Sequence, residues 1–292
     1  MKSIYSLTKR NLLMFFRNKS EVFFSFLSVI IILVVYILFL SDVQVHNIKQ
    51  LAGDVEGIKP LVNAWVMSGL IAVATVTLSL GALGRIVADK QNKVLNDFLV
   101  APIKRTHVFI SYIISTLFIA FTISFSLLIL AEIYILISGG TLLTITQLSQ
   151  VVGIIILCVI SSSLFLLFIV SFLNNEQSLS VFASIVGVLI GFVTGAYIPM
   201  GIMPKGVQFF SNILPVSQGA SLLRKIFVEQ PMNIVFENAP VEQNINFSNT
   251  QGINLFLGNY ELTSNFMVIY IILSIIIFGV LNVIRFKKMK NI

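Results

Sequence analysis

The chain has 292 residues, 57% of them hydrophobic and 11% charged, with a net charge of +7 and a mean hydropathy of +0.98. Soluble domains carry roughly 25% charged residues, so this composition excludes a water-soluble globular protein and indicates a polytopic membrane protein. The positive charge does not mark a nucleic-acid binder, because it is gathered beside the apolar runs described next.

A spanning helix needs about 20 apolar residues. Six segments meet that length: Val22–Leu40, Leu61–Leu83, Val108–Ile137, Val151–Leu173, Leu179–Ile198 and Phe266–Ile284. The third is long enough to tilt or to project beyond the bilayer. No alternation at period 2 is present, which argues against a β-barrel. The expected fold is therefore an all-α polytopic membrane protein, with six transmembrane helices forming one transmembrane domain over residues 1–292.

Ahead of the first span, residues 1–20 read as an interfacial helix lying in the membrane plane. Lys2, Lys9, Arg10 and Arg17 share one arc of the helical projection and face Ile4, Leu7, Met14 and Phe15, although Leu13 falls on the basic side. The first span is too long for a signal-peptide core and lacks a small-x-small cleavage site, so it should remain as an anchor. Basic residues gather before span 1, between spans 2 and 3 (Arg85, Lys90, Lys93, Lys104, Arg105) and after span 6 (Arg285, Lys287, Lys288, Lys290). Residues 106–204 and 226–284 contain no Lys or Arg. The positive-inside rule then places both termini and the 85–107 loop in the cytoplasm.

That loop is two-faced. At about 100° per residue, Val87, Val94, Leu95, Phe98 and Leu99 share one side of a helix, and Asp89, Lys90, Lys93, Asn96 and Asp97 the other. Pro102 stops it before span 3. An amphipathic helix between two spans exceeds what a connector needs and is placed to be pushed by another protein. A second cytoplasmic turn, Asn174-Asn175-Glu176-Gln177, joins spans 4 and 5.

Within the spans, Glu132 is the single carboxylate. It is either a hydrogen-bonded structural residue or a polar contact near the exit of a transport path. Ser161, Ser162 and Ser163 suit close helix packing, and Cys158 is a small packing residue. On the outside, Ser41–Pro60 and Ser138–Gln150 are modest loops. The segment 199–265 is larger. Its apolar stretches Val207–Leu214 and Ala220–Val228 are too short to span, and Pro199, Pro204 and Pro215 break them, as expected of re-entrant half-helices. From Glu229 the composition turns polar, as in a solvated cap.

Several chemistries lack their residues. His46 and His107 fall on opposite sides of the membrane, so neither a Ser/His nor a zinc intramembrane protease has its groups. Paired aspartates for a metal-dependent transferase are missing, and no phosphate-binding G-x-x-x-x-G-K-[ST] occurs. Ile137-Ser138-Gly139-Gly140 reads as a turn.

The pattern Gly195-x3-Pro199-x4-Pro204-x10-Pro215-x8-Arg224 resembles the segment after the fifth span of ABC-2 type permeases, the membrane subunits of bacterial ATP-binding cassette exporters. Lys93-Val-Leu-Asn-Asp-Phe-Leu-Val-Ala-Pro102-Ile-Lys-Arg105 is similar to that family's cytoplasmic motif before span 3, with Leu95-Asn96 where Leu-Glu is usual. The resemblance covers essentially the whole chain. It implies a non-catalytic permease that binds no cofactor itself, with ATP and Mg on a separate ATPase subunit. That subunit would dock on the coupling helix Asp89–Leu99, through Asp89, Lys90, Lys93, Val94, Leu95, Asp97, Phe98, Leu99 and Pro102, and on Asn174 and Glu176. A second permease copy would complete the path as a homodimer among membrane lipids. Glu132, Phe182, Ile185, Phe192, Thr194 and Tyr197 are candidates for the substrate path, and Pro199, Pro204, Pro215 and Arg224 for an extracellular gate. The implied cargo is amphipathic or lipid-like (a drug, a haemolysin or cytolysin, a peptide toxin), exported across a bacterial plasma membrane. The alternative is an ATP-independent six-span carrier or channel, which usually needs a partner charge for Glu132; a membrane-embedded enzyme is the third reading.

Overall fold

A computed structural model describes residues 2–35, 41–53, 55–100 and 103–288. Along the chain these form α1 (Lys2–Arg17), α2 (Lys19–Val35), α3 (Ser41–Ala52), α4 (Ile58–Gln91), α5 (Val94–Val100), α6 (Arg105–Ile137), α7 (Ile145–Val170) and α8 (Glu176–Val193). There follow α9 (Lys205–Ile213), α10 (Pro215–Phe227), α11 (Glu229–Val235), α12 (Val241–Thr250), the strands β1 (Phe256–Leu257) and β2 (Tyr260–Glu261), and α13 (Ser264–Lys288). The fold is all-α and polytopic. Five helices among the described residues, α4, α6, α7, α8 and α13, are long and apolar enough to cross a membrane. The first expected span, Val22–Leu40, is covered by α2 only as far as Val35; residues 36–40 lie outside the described residues.

α4 is the central helix, buried on all sides along most of its length. It packs against α6, α7, α8 and α10, with α2, α3, α5 and α11 touching it as well. Its small residues let the neighbours approach, and their hydroxyls find partners. Ser68 and Thr75 donate back to carbonyls of their own helix. Ser79 Oγ lies 2.9 Å from Ser163 Oγ of α7. On the far side of α7, Ser161 Oγ meets Ser274 Oγ of α13 at 2.7 Å. The expected serine packing thus runs through three helices.

Helix ends follow local chemistry. Thr144 and Gln147 form a reciprocal capping box at the start of α7, and Asn175 Oδ1 accepts from Ser178 N (2.8 Å) at the start of α8. α8 ends five residues short of the expected Ile198. Gly195 takes a left-handed φ of 67°, and the chain folds back so that Tyr197 N donates to Gly191 O at 3.1 Å. The Tyr197 ring lies where a side chain on Gly191 would be.

α1, the helix expected at residues 1–20, packs against α6. Ser3 Oγ bonds His107 Nδ1 (2.8 Å) and Asn11 Nδ2 donates to Ser115 Oγ (3.4 Å), and both pairs keep the same offset of 104 residues. α1 therefore runs beside the first turns of α6 in the same direction. Its buried face carries Leu7, Thr8, Asn11 and Phe15, and Asn11 finds its partner on α6.

Candidate coupling site and gate

At the α5 end of the bundle, the chain places Asp89 at the centre of a buried polar knot. Its side chain is 1% exposed. Arg10 of α1 grips it with two hydrogen bonds, Nη1 to Oδ2 at 2.6 Å and Nη2 to Oδ1 at 3.0 Å. Arg85, one turn earlier on α4, reaches Oδ1 at 2.8 Å, and Tyr112 of α6 donates its hydroxyl to Oδ2 at 2.5 Å. The hydrogen bonds from Arg10 to Asp89 raise the Arg10 pKa above its already high ordinary value, so this cation does not titrate. A bidentate arginine–carboxylate pair with a second cation and a phenol offsets the desolvation that would otherwise forbid a buried acid here.

Of the residues expected at the ATPase contact, Asp89 faces inward and ties α1, α4 and α6 together. The expected single helix Asp89–Leu99 is also two. α4 runs on to Gln91, and Lys93 turns the chain at a φ of 59° before α5 begins. A lysine in that left-handed region is unfavourable by roughly 1 kcal/mol. The turn is tolerated because the end of α4 is fixed: Lys90 Nζ donates to Leu173 O (3.2 Å), and Gln91 Oε1 accepts from Glu176 N (2.7 Å). α5 then packs on α4 and α6. Leu95 is buried, Val94 and Phe98 are half-buried, and the Arg10 guanidinium lies over the Phe98 ring at 5.2 Å. Lys93 and Asp97 are exposed, as are Asn174 and Glu176 of the neighbouring turn. Leu99 belongs to α5, but its side chain and Pro102 lie outside the described residues.

No sequence signal paired Arg10 with Asp89. The two are 79 residues apart, and each fitted an amphipathic pattern on its own helix.

At the opposite end, the proline pattern starts elements, as the fixed φ of proline allows. Pro199 precedes a 3-10 turn, Pro204 precedes α9, and Pro215 is in the first turn of α10. The two expected half-helices are α9 and α10. α10 is inserted among α4, α7 and α13. The segment after Glu229 is not simply a solvated cap, because Phe236, Phe247 and Leu255 are buried beneath it and Trp65 Nε1 of α4 donates to Gln251 O at 2.8 Å.

Arg224 is 1% exposed. Its guanidinium carbon lies 4.9 Å from the Trp65 ring centre, and none of its three nitrogens meets a protein acceptor. Three glycines make the socket. A Cβ on Gly69, Gly195 or Gly252 would come within 3.2, 3.4 and 3.2 Å of those nitrogens. One turn earlier on the inserted helix, Gly219 leaves the space that the Cys158 sulfur of α7 occupies.

The substrate-path candidates are not gathered in one place. Glu132 Oε2 accepts from Leu143 N at 3.0 Å, pinning the turn after α6 to its own last turns. It also borders a cavity of about 520 Å³ with Lys49, Glu56, Lys59 and Phe227. Thr194 is buried and donates to Ile190 O (2.8 Å). Ile185 and Phe192 are exposed on α8, Phe182 is half-buried, and Tyr197 stands edge-on to Phe192.

Comparison with known proteins found no match among curated proteins. A family model described as ABC-2 type transporter matches residues 2–228, from the first residue of α1 through the whole of α10. That span takes in the Asp89 knot, α5 and Arg224 with Trp65, Gly69 and Gly195 of its socket, but not Gly252. The chain belongs to the ABC-2 type transporter family.

Proposed function

We propose that this chain is the membrane subunit of an ATP-driven exporter, moved by a separate ATPase and paired with a second copy of itself in a bacterial plasma membrane, with both termini in the cytoplasm. The single observation that carries the reading is the build of the α5 end. An amphipathic helix is seated by its apolar side on two spanning helices and on Arg10, and it turns Lys93 and Asp97 outward beside exposed Asn174 and Glu176. A partner pressing on that polar surface would move α5 as a rigid lever. The Asp89 knot would carry the push to α1, α4 and α6 together. This is how a binding event at one face biases a two-state membrane bundle. The pattern also supports a polar contact with the ATPase, while Val94, Leu95 and Phe98 hold the lever to the bundle. Pro199, Pro204, Pro215 and Arg224 would belong to the gate at the far end, and an amphipathic or lipid-like cargo suits the apolar surroundings of α8.

Affinity purification of the tagged, detergent-solubilised permease should bring down an ABC ATPase. With that complex in vesicles, Phe98→Asp should leave assembly intact, keep ATP hydrolysis and lower cargo export at least about tenfold, because the lever is unseated. Purification without any ATPase would sink the reading in favour of an ATP-independent carrier. Unchanged export by Phe98→Asp would remove α5 as the coupling element.

A further inference from the structure

At the α5 end of the bundle, two cations from different spanning helices converge on the turn that follows α7. α13 is joined to α7 by a series of polar contacts, Ser274 Oγ to Ser161 Oγ at 2.7 Å, Asn282 Nδ2 to Leu164 O at 2.8 Å and Arg285 Nε to Ser171 Oγ at 3.3 Å. The Arg285 guanidinium carbon also lies 4.2 Å from the Phe172 ring centre. From α4, Lys90 reaches the same turn and donates to Leu173 O at 3.2 Å. Both cations are half-buried, and they lie close enough for their charges to repel. Their hydrogen-bond partners are neutral oxygens, and among the described residues neither forms an ion pair with a carboxylate. Glu176, the acid that follows this turn, is exposed and bonds α4 through its backbone N–H, which donates to Gln91 Oε1. Two like charges gathered in partly desolvated surroundings are unfavourable until an anion joins them.

The surroundings select the kind of anion. Val280, Val283 and Ile284 are exposed on α13 just before Arg285, and Phe172 is exposed beside the guanidinium. On a helix long and apolar enough to span, such residues face hydrocarbon, so the cation pair lies where acyl chains give way to headgroups. An occupant with an anionic head and a hydrocarbon tail matches both halves of this surface, whereas a carboxylate of a soluble partner matches only the charges.

We propose that Arg285 and Lys90 hold the phosphodiester of an anionic phospholipid, whose acyl chains run along Val280, Ile284 and Phe172. Arg285 keeps Nε on Ser171 and presents Nη1 and Nη2 to the phosphate oxygens, a strong and directional pairing. Lys90 adds a point charge from α4. The lipid thereby bridges α13 to α4 across the turn after α7 and secures the end of the last span. The site does not depend on the exporter reading.

Thermal unfolding of the solubilised permease is followed at increasing mole fractions of phosphatidylglycerol, with phosphatidylcholine keeping the total lipid constant. The half-saturating fraction is read from the rise in midpoint. Wild type should gain stability saturably with phosphatidylglycerol. Inorganic phosphate at matched ionic strength should give no gain, which separates a lipid headgroup from a free anion. Arg285→Gln and Lys90→Gln should each raise the half-saturating fraction about fivefold, and Arg285→Lys should recover part of the loss. Glutamine keeps a donor for Ser171, and the reading is a midpoint of binding, so a modest loss of intrinsic stability does not obscure it. Lys9→Gln removes an exposed cation of α1 and should leave the fraction within about twofold of wild type. Equal effects of Lys9→Gln and the two site variants would mean a diffuse basic flank and would overturn the proposal. It is overturned too if inorganic phosphate alone reproduces the gain. A wild type that gains nothing from phosphatidylglycerol would assign the cations to a carboxylate of a protein partner, and the lipid site would fall.

Discussion

Asp89 shows how a single side chain acquires a role that its neighbours in sequence do not announce. It holds two arginines and a tyrosine from three helices, so removing its charge leaves two half-buried cations without their anion. Asp89→Asn should destabilise the solubilised protein by about 3 kcal/mol, and Arg10→Gln by a similar amount. The double variant should lose clearly less than the sum, because both changes break one interaction. Thermal unfolding in detergent measures all three, and strictly additive losses would show that the pair is not coupled. The sequence places Asp89 on the polar side of an amphipathic helix beside Lys90, Lys93 and Asp97, and on that pattern alone the four are alike. Only Lys93 and Asp97 face outward. Periodicity separates polar from apolar faces, but it carries no information on whether a polar face meets water or a charged partner from elsewhere in the chain. For Glu132 each reading has a feature on the structure: Leu143 N donates to it, and it also borders the cavity with Lys49, Glu56 and Lys59.

At the scale of elements, α9 and α10 were legible because proline cannot continue a helix and marks where one starts. What makes α10 fit was not legible. Gly219 sits in the middle of a helix, where replacing glycine with alanine ordinarily gains about 0.5–1 kcal/mol. Here Gly219→Ala should instead destabilise by about 1–3 kcal/mol, since the added methyl overlaps the Cys158 sulfur. Cys158→Ala in the same chain should recover most of the loss. A Gly219→Ala protein as stable as the parent would disprove the close packing of α10 on α7. The break at Lys93 was hidden for a related reason: no glycine or proline marks it. It exists because Lys90 and Gln91 are held to the turn after α7, which fixes the direction of α4 while α5 packs elsewhere.

For the molecule as a whole, the five described spans are unequal in their surroundings. α4 is enclosed, while α8 buries only Ile190 and Gly191 and shows Val181, Ile185, Val188, Leu189 and Phe192 outward. If that face meets a second copy across a two-fold axis, equivalent residues face each other. In a Cys158→Ala background, Ile185→Cys should then form an oxidatively cross-linked dimer in membranes, and Ile276→Cys on the exposed side of α13 should not. Cross-linking at neither position, or at both alike, would count against α8 as the meeting face. The amino-acid sequence by itself determined the membrane class, most span positions and the two short helices after the fifth expected span, because hydropathy and proline act locally along the chain. The tertiary structure alone decided that α4 is the hub, that α1 stands beside α6, that Asp89 is locked inside, and that Arg224 sits unpaired on Trp65. Those outcomes depend on which distant residues share a boundary, and burial, charge pairing and glycine clearance are properties of that boundary and not of either stretch of sequence.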